Sequence, residues 1–170
     1  PAAACVGAFS LSRGATCLAA LGVVALAAGG LLRVADRGVR GEWLAVPHPA
    51  PGVLLYVHGG GYVSCSSATH RPITAALARL TGCRIFSADY RTAPEARFPA
   101  AIEEVLATYR WLLTQGAPGE RIALAGDSAG GGLVLTLALH ARDAGWPAPA
   151  CLVAFSPWTD LAGSGASLRV

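Results

Sequence analysis

The sequence contains no lysine, no asparagine and no methionine, and all 13 of its basic residues are arginine. Codons for lysine and asparagine are A-rich, so this is a coding bias that says nothing of activity. Charge of either sign is sparse, at 14% of residues with a net +3, and the arginines stand singly. With no basic run and no interleaved aromatic residues to track a phosphate backbone, nucleic acid is excluded as a partner. The five cysteines, Cys5, Cys17, Cys65, Cys83 and Cys151, are odd in number and never form a C-x-x-C pair. That excludes a disulfide framework and a zinc finger and leaves them as reduced, mostly buried, small apolar side chains. No metal and no organic cofactor is called for. The chain starts at Pro1 and has no methionine, so the expectation is that it has lost its start or been cut from something longer.

What is present is apolar. At 54% hydrophobic content over 170 residues, the chain is rich enough and long enough for one domain with a sizeable core. From Gly14 to Leu32 no residue is charged, with Arg13 and Arg33 at the ends. The length just suffices to span a bilayer. Four glycines and many alanines dilute its five leucines and two valines, however, and these gain little on insertion. Three readings stay open for residues 1–32: a cap-like helix packed on the domain, a signal or anchor helix in contact with membrane, or a segment outside the native fold. A cytoplasmic location goes with the first, an anchored or exported one with the second.

Residues 33–170 form the second unit. Leu32 to Val34 and Val39 to Val46 flank Asp36-Arg37-Gly38 and predict a weak antiparallel hairpin. Pro47 to Gly52 then breaks regular structure. Four short apolar runs follow, Val53 to Val57, Arg84 to Ala88, Arg121 to Ala125 and Cys151 to Phe155, separated by helical spacings over Thr69 to Thr81, Pro99 to Gln115 and Ala129 to Ala144. Strict alternation of strand and helix predicts an α/β fold, a mostly parallel sheet with helices on both faces. Chemistry on such a sheet belongs beyond the carboxyl ends of its strands.

Two motifs fall at those ends. Gly126-Asp127-Ser128-Ala129-Gly130 is G-x-S-x-G between a strand and a helix, a turn sharp enough to strain the serine and expose it at a helix N-terminus. Gly126 and Gly130 leave room for strand and helix to approach. His58-Gly59-Gly60-Gly61-Tyr62 ends an earlier strand, and its glycines let backbone N–H groups face a tetrahedral oxyanion. Asp127 diverges from the serine on the turn and reads as support. Tyr62 and Trp158 read equally as pocket lining or as core. Tyr90, Arg91 and Glu95 suggest a buried polar network in which Arg91 pairs with Glu95, while His48, His70 and Arg71 read as solvated.

On His58-Gly59-Gly60-Gly61, Asp89 to Glu95 with Phe98-Pro99-Ala100, Gly126 to Gly130 and Ser156 to Leu161, the sequence resembles the hormone-sensitive-lipase-like branch of the α/β-hydrolases, also called the fold-3 family. The likeness covers residues 53–161 and extends weakly back to about Val39. It implies a carboxylic-ester hydrolase with Ser128 as nucleophile and the N–H groups of Gly60, Gly61 and Ala129 as oxyanion hole. His58 shapes the loop and is not the base. It further implies a small ester or lactone substrate and a partial fold, with the C-terminal strands and loops missing. In the family an acid and a histidine follow the serine. Here only His140, Asp143 and Asp160 do. His140 lies twelve residues along the helix that Ser128 opens, about 18 Å away, and Asp160 has a structural place in the family motif. The expectation is therefore that the catalytic acid and base lie outside this chain, which alone turns over esters poorly or not at all, and that the strand Cys151 to Phe155 leaves an exposed edge. Residues 1–32 depart from the family's helical cap in their alanine and glycine content, so substrate preference stays open. The rival readings are a non-catalytic relative that binds a small ligand, and an inactive fragment.

Overall fold

The computed structural model describes residues 30–165. Residues 14–29, on which the choice between cap, anchor and non-native segment turns, lie outside the described residues, as do 166–170. Among the described residues no helix is long and apolar enough to cross a membrane.

The expected hairpin is present as β1 (Gly30–Asp36) and β2 (Val39–Ala45). Its two linking residues, Arg37 and Gly38, both have positive φ, 49° and 84°, the geometry that lets a two-residue turn follow the strand twist. The hairpin is longer than expected: Gly30 and Leu31, read with the N-terminal segment, pair with Ala45 and Leu44. A short uniform apolar run carries no period that would separate strand from helix, and pairing decides it.

Then come β3 (Val53–Val57), α1 (Arg71–Thr81), β4 (Arg84–Ala88), α2 (Ala100–Thr114), a 3-10 turn at Gly119–Arg121, β5 (Ile122–Asp127), α3 (Ala129–Asp143) and β6 (Cys151–Phe155). The sheet order is β1-β2-β4-β3-β5-β6. Strands β4, β3, β5 and β6 are mutually parallel, and β2 joins β4 antiparallel. The chain steps from β3 out to β4 and then back across β3 to β5. With one handedness for every crossover, that reversal puts α1 on one face and α2 and α3 on the other.

Period-two alternation sorts the side chains accordingly. Val53, Leu55, Val57, Phe86, Ile122 and Leu124 meet Val105, Tyr109, Leu112, Leu133, Val134 and Leu137 of α2 and α3. Leu54, Tyr56, Ile85 and Ala125 meet Ala78 of α1. Each fully buried leucine or isoleucine contributes about 2 kcal/mol. Trp43, Phe86 and Trp111 extend the first layer, with ring centroids 5.0–6.5 Å apart.

Three expectations are corrected here. Arg71 is not solvated: its Nε and Nη2 each donate at 2.8 Å to the carboxylate of Glu42, which is 1% exposed on β2. A carboxylate that deep needs a bidentate partner, and the first turn of α1 supplies it. Helix α1 starts two residues later than the apolar spacing suggests, because Thr69 is engaged in a local turn with Ser66. Nor are the described cysteines buried. Cys65 and Cys151 are exposed and Cys83 is half-buried. Strand β6 pairs only with β5 among the described strands, and Val153 and Phe155 on it are 46% and 45% exposed, so the expected open edge is there.

Candidate active site

Strands β3 and β5 are neighbours, with Val57 opposite Gly126, so the segments leaving their carboxyl ends lie side by side. This register alone brings residues 58–62 next to residues 127–129. Three short steps in the chain then fix the detail.

Ser128 sits between β5 and α3 at φ 50°, ψ −118°, a conformation that strains any residue with a Cβ. Its N–H donates to Phe155 O at 2.9 Å, and its carbonyl accepts from Trp158 N and Gly132 N at 2.8 and 3.1 Å. These bonds hold the turn from both sides. Room for it comes from the glycines: a Cβ on Gly126 would lie 2.5 Å from Gly130 O, and one on Gly130 would run into the carbonyls of Val57 and His58. Ala129 opens α3, where its N–H has no intrahelical acceptor and adds to the positive end of the helix dipole.

In the facing loop Gly60 and Gly61 have φ 108° and 63°. The Gly60 carbonyl is turned back onto Val63 N, Ser64 N and Ser64 Oγ at 2.9–3.1 Å. Among the described residues the N–H groups of Gly60 and Gly61 meet no protein acceptor. Gly59 is different: its N–H donates to Asp127 Oδ1 at 3.0 Å. That oxygen also accepts from Tyr56 Oη at 2.8 Å and lies 3.4 Å from His70 Nε2. Asp127 thus points away from Ser128 toward the α1 side, as alternation along β5 requires.

His58 is wholly buried. Nδ1 pairs with Gly59 O at 2.7 Å, and the ring stacks on Tyr90 with centroids 4.2 Å apart and planes 10° apart. Burial above all lowers its pKa, so it stands as a neutral imidazole under the loop. Tyr90 Oη donates to the His58 carbonyl at 2.8 Å, and Ala93 N donates to Tyr62 O at 2.8 Å. The loop after β4 therefore cradles the glycine loop. Tyr90→Phe should lower stability by about 1 kcal/mol, the net worth of one buried hydrogen bond, as a shift of the urea midpoint with unchanged slope; no shift would mean that the His58 carbonyl needs no such support. Tyr62, at φ 65°, reaches Ala129 O at 3.4 Å, and its ring centroid is 5.9 Å from that of Trp158.

The residues singled out from sequence, His58, Gly59, Gly60, Gly61, Tyr62, Asp127, Ser128, Ala129 and Trp158, are thus brought together. Others are not where expected. Arg91 binds Glu104 of α2 through its Nε and its own N–H, and Glu95 is exposed. A residue on the next helix outcompetes one four positions away on an irregular loop. His70 is not solvated either, with its side chain 11% exposed beside Asp127. Sequence reasoning missed Tyr56, Glu42 and Glu104 altogether. The available signal was a lone polar or phenolic residue inside an apolar run, such as Tyr56 within Val53–Val57. His48 is exposed as expected.

Among the described residues no imidazole hydrogen-bonds the Ser128 hydroxyl. His140 is exposed and packs edge-on against Trp146, centroids 5.0 Å apart. The Asp160 carboxylate accepts from the N–H groups of Ala162, Ser164 and Gly165 and from Ser164 Oγ. The Ser164 bonds first, and then those of Ala162 and Gly165, lower its pKa. It closes a local turn. Among the described residues no cluster of histidine, cysteine and carboxylate side chains could hold a metal ion.

Comparison with known proteins places this arrangement. A family described as alpha/beta hydrolase fold matches residues 54–169. An acetyl-hydrolase of Streptomyces hygroscopicus is 47% identical over 126 residues, covering 74% of this chain and 42% of that protein. Mouse hormone-sensitive lipase is 41% identical over 142 residues, 79% of this chain and 19% of its own length. The crystal structure of an esterase from the bacterial hormone-sensitive lipase family superposes with a TM-score of 0.78 at 47% identity, covering 82% of this chain and 47% of that one. The chain spans less than half the length of each of these proteins.

Proposed function

Because this chain belongs to the α/β-hydrolase fold family, in its hormone-sensitive-lipase-like branch, we propose that the protein hydrolyses carboxylic esters through an acyl-enzyme on Ser128. The observation that carries the reading is the pairing of a strained, half-buried serine at a helix N-terminus with a glycine loop in which the Gly60 and Gly61 N–H groups meet no protein acceptor among the described residues.

Ser128 Oγ attacks the ester carbonyl carbon, and its proton passes to a histidine outside residues 30–165. Without that base a serine hydroxyl is almost wholly protonated at neutral pH and a weak nucleophile. The N–H groups of Gly60, Gly61 and Ala129 hold the oxyanion, each such donor being worth roughly 3 kcal/mol in the transition state. Collapse expels the alcohol with the proton returned from the histidine. Water then repeats the sequence on the acyl-enzyme. No step needs a metal or an organic cofactor. Tyr62 and Trp158 flank the nucleophile with aromatic surface suited to a short or medium acyl chain, of an ester or a lactone. A relative named acetyl-hydrolase fits that class.

A fluorophosphonate probe, incubated with the protein as its source makes it and followed by peptide mass mapping, tests this. We expect the label on Ser128. An unlabelled Ser128 would sink the proposal in favour of a relative that only binds small ligands.

A further inference from the structure

The mechanism leaves one buried polar cluster unused. Tyr56 is fully buried one residue from the carboxyl end of β3, in a strand otherwise made of valine and leucine, where a phenol costs free energy unless its hydroxyl is satisfied. It is satisfied by Asp127 Oδ1 at 2.8 Å, the same oxygen that accepts the Gly59 N–H at 3.0 Å and lies 3.4 Å from His70 Nε2. Burial first, and then the bond to Asp127, push the phenol pKa up, so Tyr56 stays a donor throughout the range in which the protein folds. Thr69 Oγ1 lies 3.1 Å from His70 Nδ1. Thr69 Oγ1 gives its own proton to Ser66 O at 2.8 Å, and the other ring nitrogen of His70, Nε2, is the one that faces Asp127.

The cluster is anchored at both ends. Glu42, gripped by Arg71, is on β2, whereas Asp127 is on β5. The sheet order β2-β4-β3-β5 separates them by three strand spacings, about 14 Å. Consecutive residues His70 and Arg71 span that width with side chains running in opposite directions, which fixes the start of α1 across the sheet. Packing excludes any alternative at Gly59, where a Cβ would collide with the Asp127 carboxylate.

Resting on the esterase reading above, we propose that Tyr56 and His70 are positioning residues for the oxyanion hole, acting through Asp127. Asp127 belongs to the nucleophile turn and Gly59 to the glycine loop, so its carboxylate is the strut between the two halves of the site. Tyr56 and His70 hold the strut at the one rotamer that meets the Gly59 N–H. Loss of either lets the carboxylate turn, and the donors at Gly60 and Gly61 shift relative to Ser128. Substrate binding depends less on that alignment than the transition state does.

The test uses the protein as its source makes it, with steady-state hydrolysis of p-nitrophenyl butyrate by Tyr56→Phe, His70→Leu and His70→Gln. Removing an oxyanion donor outright costs 10² to 10³-fold, so misaligning the loop in Y56F and H70L should lower kcat about tenfold. KM should stay within about twofold, the mark of an interaction made only in the transition state. H70Q, which keeps an amide donor near Nε2, should recover most of the H70L loss. If H70L does not fold, Y56F decides, since it removes one hydroxyl and leaves α1 untouched. Unchanged kcat in the folded variants, or a loss confined to KM, overturns the proposal. Failure of the esterase reading itself is seen separately, as retention of wild-type turnover by Ser128→Ala.

Discussion

Ser128→Ala should abolish ester turnover, by on the order of 10⁴ to 10⁶-fold in kcat, and remove all fluorophosphonate labelling. The size follows from what is lost. Without Oγ there is no covalent intermediate, and only the oxyanion donors and substrate binding remain to speed attack by water. Stability should hardly change, because alanine at φ 50° carries the same Cβ strain as serine, and the bonds that fix the turn are made by the backbone N–H and carbonyl of residue 128. Turnover by the wild-type protein and the variant under pseudo-first-order conditions decides it. Comparable rates would remove Ser128 from the chemistry.

Gly130→Ala should destabilise the fold by about 3 kcal/mol, an overpacking cost at the upper end of the usual range. The added Cβ would fall 2.5 Å from His58 O and would overlap Val57 O as well. These are main-chain atoms at the end of a central strand, so no rotamer change relieves the overlap. Either β3 and α3 separate or the register of β3 with β5 is disturbed. Urea unfolding followed by far-UV circular dichroism measures the loss. A change below about 1 kcal/mol would mean that helix and strand are less closely held than the packing requires.

Much of this was legible in the sequence, and the reasons differ from place to place. Strands β3, β4 and β6 fall where short apolar runs put them, and β3 and β4 are apolar along their length because both of their faces are buried. The glycine loop and the Ser128 turn were legible because each needs glycine for a stated backbone reason, and glycine is visible without coordinates. Pairing between distant polar residues was not legible. Arg71 with Glu42, Arg91 with Glu104 and Tyr56 with Asp127 are separated by 29, 13 and 71 positions, and nothing local marks which cation meets which carboxylate. Residues at a helix start looked solvated for the same reason: an arginine beside a proline signals a first turn, and only the sheet beneath it reveals a buried acid. The cysteines misled in the opposite direction. Cys151 is apolar by nature, but β6 lies at the edge of the described sheet, and position in the sheet overrides side-chain preference.

The strut at Asp127 joins residues 68 positions apart to Gly59 and 71 apart to Tyr56. Closing a loop of that length costs about 4 kcal/mol of chain entropy, and nothing is recovered until β4 and α2 have been laid down and β5 has docked against β3. The chemistry of this fold is therefore a late property of folding. A chain in which β5 has not yet paired has a serine without a strained turn and a glycine loop without a facing partner, so it carries no partial activity. A kinetic refolding experiment should accordingly find far-UV structure returning before Ser128 can be labelled.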